Sequence, residues 1–320
     1  MSKPSIHVAI ALLFHHGKVL VGWRNADQHQ GNKYEFPGGK VESGETPEQA
    51  CCREVFEEVG VGIDHWHQFD VIHHDYEDIE VFLHIFHTHI TEEYLADIQK
   101  PWTWYRREQL LELNFPKANQ AMIQRLYWSH QIKISDQLAH YQPENKDQLF
   151  YWRINAHCSE MEQDIEQLKR INAHCSEMEQ DIEQLKRTNI DDLSQIILSV
   201  DVWKMLPVVM QKHVSAVHFK HNQLMDLVVG QLPIGIRCIA ACHDLVSLQH
   251  AQRLGFDAVT LSPVLKTQTH PNSIELGWEK FAEYAKTVDI PIFALGGLSL
   301  HDLKIAQQYG AYGVAGIRQF

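Results

Sequence analysis

The stretch PGGKVESGETPEQACCREVFEEVGV, residues 37–61, decides the fold of the first half of this chain. Its helix boundaries are legible. Thr46 is a good N-cap, Pro47 fits the first turn, and Gln49 stands three residues after Thr46, as in a capping box. Gly60 suits the left-handed turn that ends such a helix. Between these limits, Glu54, Glu57 and Glu58 lie three or four residues apart, or adjacent, and share one face. Three like charges on one face repel each other. Either the face is simply solvated, or it holds a divalent cation such as Mg2+, which takes carboxylate oxygens together with phosphate and water.

Working outward, Val8–Phe14 and Lys18–Trp23 are apolar runs on either side of Gly17 and predict a β-hairpin. The first run reads as a hairpin strand, not as a signal peptide. No apolar run approaches the ~18 residues of a membrane span.

The chain has 320 residues, 28 Lys plus Arg and 41 Asp plus Glu, a formal charge of 28 − 41 = −13. That length predicts two domains at roughly 100–200 residues each. The acidity argues against wrapping duplex nucleic acid, which needs a positive surface, but not against binding one nucleotide through metal ions. An apolar share of 44% with 22% charged residues is globular. The six Cys form no CxxC pair. They suit buried thiols in a reducing, cytoplasmic setting better than disulfides or a zinc site. The 22 His are scattered through the chain.

Gly39, five residues, Glu45, seven residues, then Arg53-Glu54-Val55-Phe56-Glu57-Glu58-Val59-Gly60-Val61 resembles the complete Nudix box: nine constrained positions over 23 residues. The resemblance implies an α+β fold that hydrolyses a nucleoside diphosphate linked to another group, using Mg2+ or Mn2+. It implies that Glu54, Glu57 and Glu58 hold metal together with the backbone carbonyl of Gly38. Arg53 would orient the carboxylates, and Glu45 would stand behind them or help proton transfer. Bound metals would neutralise a polyphosphate and position a water.

The string ADQHQGNKYEFPGGKVESGETPEQA, residues 26–50, is similar to the MutT type, the 8-oxo-dGTP diphosphatases, and the likeness extends over residues 5–128. It implies a nucleotide pocket lined by Arg24, His29, Phe36 and Lys40. Asn119, in FPKANQAMI, would read the oxidised guanine edge, because an amide offers both a donor and an acceptor. Plainer roles exist for three of these. Asn119 is placed to cap the helix that follows it, His29 can be a loop residue, and Arg24 can pair with an acidic neighbour. One departure matters. MutT-type proteins carry an acid just before a Trp in the loop matching PWTWY, and here that position is Thr103. Glu77, Asp78 and Glu80 are other nearby acids.

Residues 153–169 read RINAHCSEMEQDIEQLK, and residues 170–186 repeat the same seventeen letters. The composition favours helix. Seventeen residues at 100° each leave a rotation of about 260°, so one continuous helix cannot bury both copies on one face. One copy is therefore expected to project or pack loosely. The duplication itself explains why His157/Cys158 match His174/Cys175, without a metal.

Eight β-like runs then alternate with helical stretches: LYWSHQIKI, LFYWRI, QIILSV, SAVHFK, RCIAAC, DAVTLS, PIFALGG and YGVAGI. Such alternation predicts a parallel sheet with helices outside, and eight units predict a TIM-type β/α barrel. The chain is thus expected to be α/β, with a Nudix domain over 1–128 and a barrel over 129–320. Without the extra copy the barrel has 192 − 17 = 175 residues, so it should be compact and irregular near its first strands.

This half resembles the thiamine phosphate synthase family, including its TenI-like members, most clearly over residues 236–318. The resemblance implies a phosphate site at Gly296 and Gly297; the plainer reading is a tight strand-end turn. The departures are numerous. Asn155 stands at the family's pyrophosphate lysine, HFKHNQL (218–224) has lost an acid, Ala241 replaces a Ser, and His270 replaces a Lys. The family's Asn-Asp metal motif is not recognisable in ILSVDVW. A retained fold without synthase chemistry is expected, serving as ligand site, sensor or scaffold.

The intact box and the MutT-like flanks together imply a nucleotide-pool hydrolase acting on a small-molecule nucleotide, 8-oxo-dGTP, with a role in DNA repair. The alternative is another diphosphate, such as a thiamine-related pyrophosphate.

Overall fold

The computed structural model describes residues 3–26, 31–153, 180, 182–183, 185, 190–267, 274–317 and 320. Strands β1 (Ser5–His15), β2 (Lys18–Arg24), β3 (Lys33–Glu35), β4 (Gly38–Lys40), β5 (His67–Asp75), β6 (Glu80–His89) and β7 (Thr103–Arg106) form one sheet. Its order is β3-β2-β1-β6-β5, with β4 added on β1 and β7 on β2. The expected hairpin is β1–β2, with Phe14 opposite Val19.

β1 lies at the centre and is buried on both faces, which is why its sequence is apolar without alternation. The two faces separate by parity. Ala9, Ala11 and Leu13 pack on helix α1 (Pro47–Val59) through Ala50, Cys51, Val55 and Val59. Ile10, Leu12 and Phe14 pack on the other side against Met122, Ile123 and Leu126 of helix α2 (Gln120–Leu126). Each fully buried side chain of this size contributes about 1.5–3 kcal/mol. Helix α1 has the predicted ends. Thr46 N–H donates to Gln49 Oε1 at 2.8 Å, Gln49 N–H donates to Thr46 Oγ1 at 3.2 Å, and Gly60 is left-handed at φ 92°.

Strands β8 (Gln131–Ser135), β9 (Leu149–Trp152), β10 (Ile196–Ser199), β11 (Ala216–Phe219), β12 (Cys238–Cys242), β13 (Ala258–Leu261), β14 (Ile292–Leu295) and β15 (Gly313–Gly316) close a barrel, β15 pairing parallel with β8. Outside it run α3 (Val200–Met205), α4 (Val208–Gln211), α5 (His221–Asp226), α6 (Leu245–Leu254), α7 (Gly277–Ala285) and α8 (Leu303–Gln308). Phe293 faces in while Ile292 and Ala294 face the helices. Trp128, expected in the first strand, precedes it and packs with the inner layer. The expected irregularity is present between β8 and β9, where a 3-10 turn, Leu138–His140, stands in place of a helix.

The first copy of the repeat lies outside the described residues, apart from Arg153, as do His157, Cys158, His174 and Cys175. Ile182 and Leu185 of the second copy are buried in the layer between strands and helices. Among the described residues no helix is long and apolar enough to cross a membrane.

The two halves meet through arginines. Arg125 of α2 donates to Phe69 O (2.9 Å), Asp70 Oδ2 (3.2 Å) and, across the junction, Ile236 O (2.9 Å). Arg237 donates from the barrel to Tyr127 O at 2.8 Å. His16 N–H donates to Asp289 Oδ1 at 2.9 Å.

Candidate active site

Helix α1 aims its acidic face at β4. Arg53 organises that face, and each of the five N–H groups of its guanidinium has an acceptor. Nε and Nη2 donate to the two oxygens of Glu45 at 3.2 and 2.8 Å. Nη1 donates to Glu54 Oε1 (2.9 Å) and Glu57 Oε2 (3.3 Å), and Nη2 also reaches Lys40 O (3.0 Å). The pairing holds the Glu45 carboxyl below the usual carboxylate range, with the Arg53 hydrogen bond the largest cause.

Glu58 points elsewhere. Its Oε2 accepts from Gly38 N–H at 3.0 Å. Solvent reaches part of the residue, yet packing around its carboxyl pushes it up to about 7 against the lowering effect of the Gly38 bond; Glu54 and Glu35 add to the rise. Trp102 Nε1–H donates to Glu58 O at 2.7 Å and ties the end of α1 to the loop before β7.

The glycines are required by contact. A β-carbon at Gly38, where φ is 147°, would lie 2.1 Å from Ala9 O, and one at Gly39 would lie 2.2 Å from Glu54 Oε1. Both sit on β4, opposite Ile10 and Ala9.

Among the described residues no three His, Cys, Asp or Glu side chains already converge as a cation site. The expected carboxylate set is therefore not preassembled. Arg53 pairs with Glu54 and Glu57, while Gly38 N–H pairs with Glu58. The donor set still fits a hard divalent cation. With Glu58 ionised, Glu45, Glu54, Glu57 and Glu58 against Arg53 give a formal −4 + 1 = −3 in one small region. Oxygen ligands and excess negative charge are what Mg2+ takes.

Across β4, Val8, Ile10, Arg24, Phe36, Gly38 and Asn119 border a cavity of about 230 Å3. Phe36 stacks on Phe115 with ring centres 4.9 Å apart. Asn119 ends a 3-10 turn and makes no capping hydrogen bond, so the plain N-cap role fails and its side chain stays at the cavity wall. Arg24 does pair with an acid: Nε donates to Glu35 Oε2 at 2.7 Å. Glu35 was not singled out from sequence, although it sits opposite Gly22 on the strand paired with β2. Lys40 is exposed. His29 lies outside the described residues. Thr103 begins β7 opposite Val21 and is exposed. Glu77 and Asp78 lie in the β5–β6 turn, and Glu80 begins β6 near His73.

Residues 9–125 match the family profile described as NUDIX domain. Over 127 residues the chain is 36% identical to the 8-oxo-dGTP diphosphatase of Escherichia coli, which covers 39% of this chain and 98% of that protein. The chain belongs to the Nudix family. To the 8-oxo-dGTP diphosphatase of Haemophilus influenzae it is 33% identical over 129 residues, 39% of this chain and 94% of that one. Nudix hydrolases generally use a divalent metal, consistent with the excess negative charge on α1.

The second half of this Nudix protein carries a different fold. Residues 201–320 match the profile described as thiamine monophosphate synthase. A protein of Aquifex aeolicus assigned as a thiamine-phosphate synthase is 34% identical over 106 residues, 33% of this chain; the chain spans 57% of that relative's length.

Proposed function

We propose that this protein is a Mg2+-dependent pyrophosphohydrolase that converts 8-oxo-dGTP to 8-oxo-dGMP and pyrophosphate, with residues 1–128 as the hydrolase domain. One observation carries the reading: Gly38 belongs to both halves of the site. It borders the cavity with Arg24, Phe36 and Asn119, and its N–H holds Glu58. A nucleotide with its base in that cavity would direct its phosphates over β4 towards α1.

The box residues then have distinct tasks. Glu54, Glu57 and Glu58, with the Gly38 carbonyl, would hold the metal, which when bound supplies charge neutralisation and a positioned water. Arg53 fixes Glu45, Glu54 and Glu57 relative to one another. Phe36 gives the base an apolar face, and Asn119 supplies a donor and an acceptor for a purine edge. Lys40 and His29 would help to hold the nucleotide, as the MutT-type resemblance implies. Mn2+ has the same ligand preferences and should substitute.

The test, with Mg2+, is release of pyrophosphate from 8-oxo-dGTP, dGTP and CTP, and of orthophosphate from thiamine diphosphate, by the native protein and by Glu57→Gln and Glu58→Gln. The expected result is preference for 8-oxo-dGTP and loss of release in both variants. Full activity in either variant, or a higher kcat/KM for thiamine diphosphate, overturns the assignment.

A further inference from the structure

The mouth of the barrel holds a cavity of about 580 Å3, a volume suited to a small organic molecule. Its wall is the last inward layer of the strands and their loops, including Ile134, Tyr151, His218, Ala241, Thr260 and Leu295. The synthase resemblance implies a divalent metal and a diphosphate at this place. The residues present do not fit them. None of the described residues lining the cavity is acidic. Asp201, just past β10, has both oxygens accepting from Gln223 Nε2 at 3.1 Å. Gly296 lines the cavity; it and Gly297 have positive φ, and a β-carbon on them would lie 2.8 Å from Pro263 Cα and 2.5 Å from Lys266 O respectively, so the turn itself requires both glycines.

The cavity has one fixed charge among its described lining residues, Arg153. Its backbone is anchored, N–H donating to Ser135 O at 2.7 Å. Its Nε is buried with no partner. The neighbouring polar groups satisfy each other. Tyr151 Oη and His218 Nδ1 are 2.9 Å apart with their rings stacked, centres 4.4 Å apart. His243 Nδ1–H donates to Ser262 O at 2.9 Å. Among the described lining residues, what remains for a ligand is apolar wall, ring faces and one guanidinium whose Nε lacks an acceptor.

We infer that the barrel mouth is a metal-independent binding site for a compact, largely apolar molecule carrying one anionic group, with Arg153 pairing the anion. A diphosphate would bring more negative charge than one cation can meet, and burying an unpaired charge is costly. A single carboxylate or phosphate monoester matches one guanidinium, bidentately where geometry allows. This site lies in the other domain from the hydrolase centre, so the inference stands apart from the nucleotide reading.

The test is isothermal titration calorimetry on the full chain with three probes: 1-naphthoate, 1-naphthyl phosphate and the uncharged 1-naphthalenemethanol, each with Mg2+ and with EDTA. Both anions should bind one per chain, at least tenfold tighter than the alcohol, and equally in EDTA. The tighter of the two identifies the head group. Arg153→Gln should erase the gap between anion and alcohol without moving the melting temperature, and Ala241→Phe should block all three. No binding by either anion, an alcohol that binds as well, a gap that survives Arg153→Gln, or Mg2+-dependent binding of thiamine diphosphate would each overturn the inference. The comparison between probes on the native protein decides the matter even if a variant does not fold.

Discussion

Gly39 and Glu54 are in contact across the β4–α1 boundary: a β-carbon on Gly39 would stand 2.2 Å from Glu54 Oε1. The backbone at Gly39 is not left-handed, so alanine is tolerable there and only the flexible carboxylate must move. Gly39→Ala should therefore keep its melting temperature within a few degrees and lose metal affinity by about 10–100-fold, the range typical of disturbed ligand support. A Mn2+ titration reads the change. Gly38→Ala should behave differently, because its β-carbon would meet the Ala9 carbonyl at a φ of 147°. That variant should be destabilised as a fold, and an unchanged melting temperature would refute the contact.

Arg53 presents five donors to three carboxylates and one carbonyl. Lysine offers a point charge with no planar fork. Arg53→Lys should retain the charge balance yet lower kcat/KM for the nucleotide by about 10^2, with most of the loss in kcat. A loss confined to KM would mean that Arg53 binds substrate and does not organise the carboxylates.

The box was legible in the sequence because its constraints are local. Thr46, Gln49, Pro47 and Gly60 set the helix, and the spacing of Glu54, Glu57 and Glu58 sets the face. The barrel was legible because each strand is a short apolar run, buried on both faces, such as Ile196–Ser199. What sequence did not show is long-range. Glu35 meets Arg24 across two strands, and Arg125 meets Ile236 across 111 positions. Neither has a spacing to read. The pairing of Glu58 with Gly38 N–H also depends on tertiary placement of β4.

Arg125 joins the domains, donating to Asp70, Phe69 O and Ile236 O while its guanidinium lies 3.8 Å over the Phe69 ring. Removing it leaves Asp70 Oδ2 and Ile236 O without that donor, while Phe69 O keeps Gly235 N–H at 3.2 Å and Asp70 Oδ1 keeps Val71 N–H at 2.7 Å. Loss of one partner from a mostly buried pair costs about 3 kcal/mol. At roughly 2–4 °C per kcal/mol for domains of this size, Arg125→Met should melt about 6–12 °C lower. Differential scanning calorimetry should also show one transition in the native protein separating into two in the variant. A single unchanged transition would mean that the junction is held elsewhere.

The histidines that had no role in the sequence reading explain an expected acid sensitivity. His87, at the junction, is held well below its ordinary value by burial, with His67, His89, Arg125 and Arg107 adding to the effect. Burial brings His89 down to about 3, helped by Arg107 and His67, and brings His218 down to about 3, helped by Arg153 and Lys220. In the unfolded chain each returns to about 6.5. Above that pH neither state binds the protons and stability is unaffected. As pH falls below 6.5 the unfolded chain takes up protons that the folded chain refuses, so stability is lost progressively down to the folded values. Three such groups give a slope on the order of 3 × 1.4 ≈ 4 kcal/mol per pH unit near pH 5. Urea denaturation at pH 7.5, 6.0 and 5.0 should therefore show a loss of about 2 kcal/mol over the first step and about 4 kcal/mol over the second, the curve steepening as pH falls. In His218→Gln the loss should be shallower by about one third, since glutamine carries no proton to exchange. Equal stability at pH 7.5 and 5.0 would show that these imidazoles are protonated in the folded state.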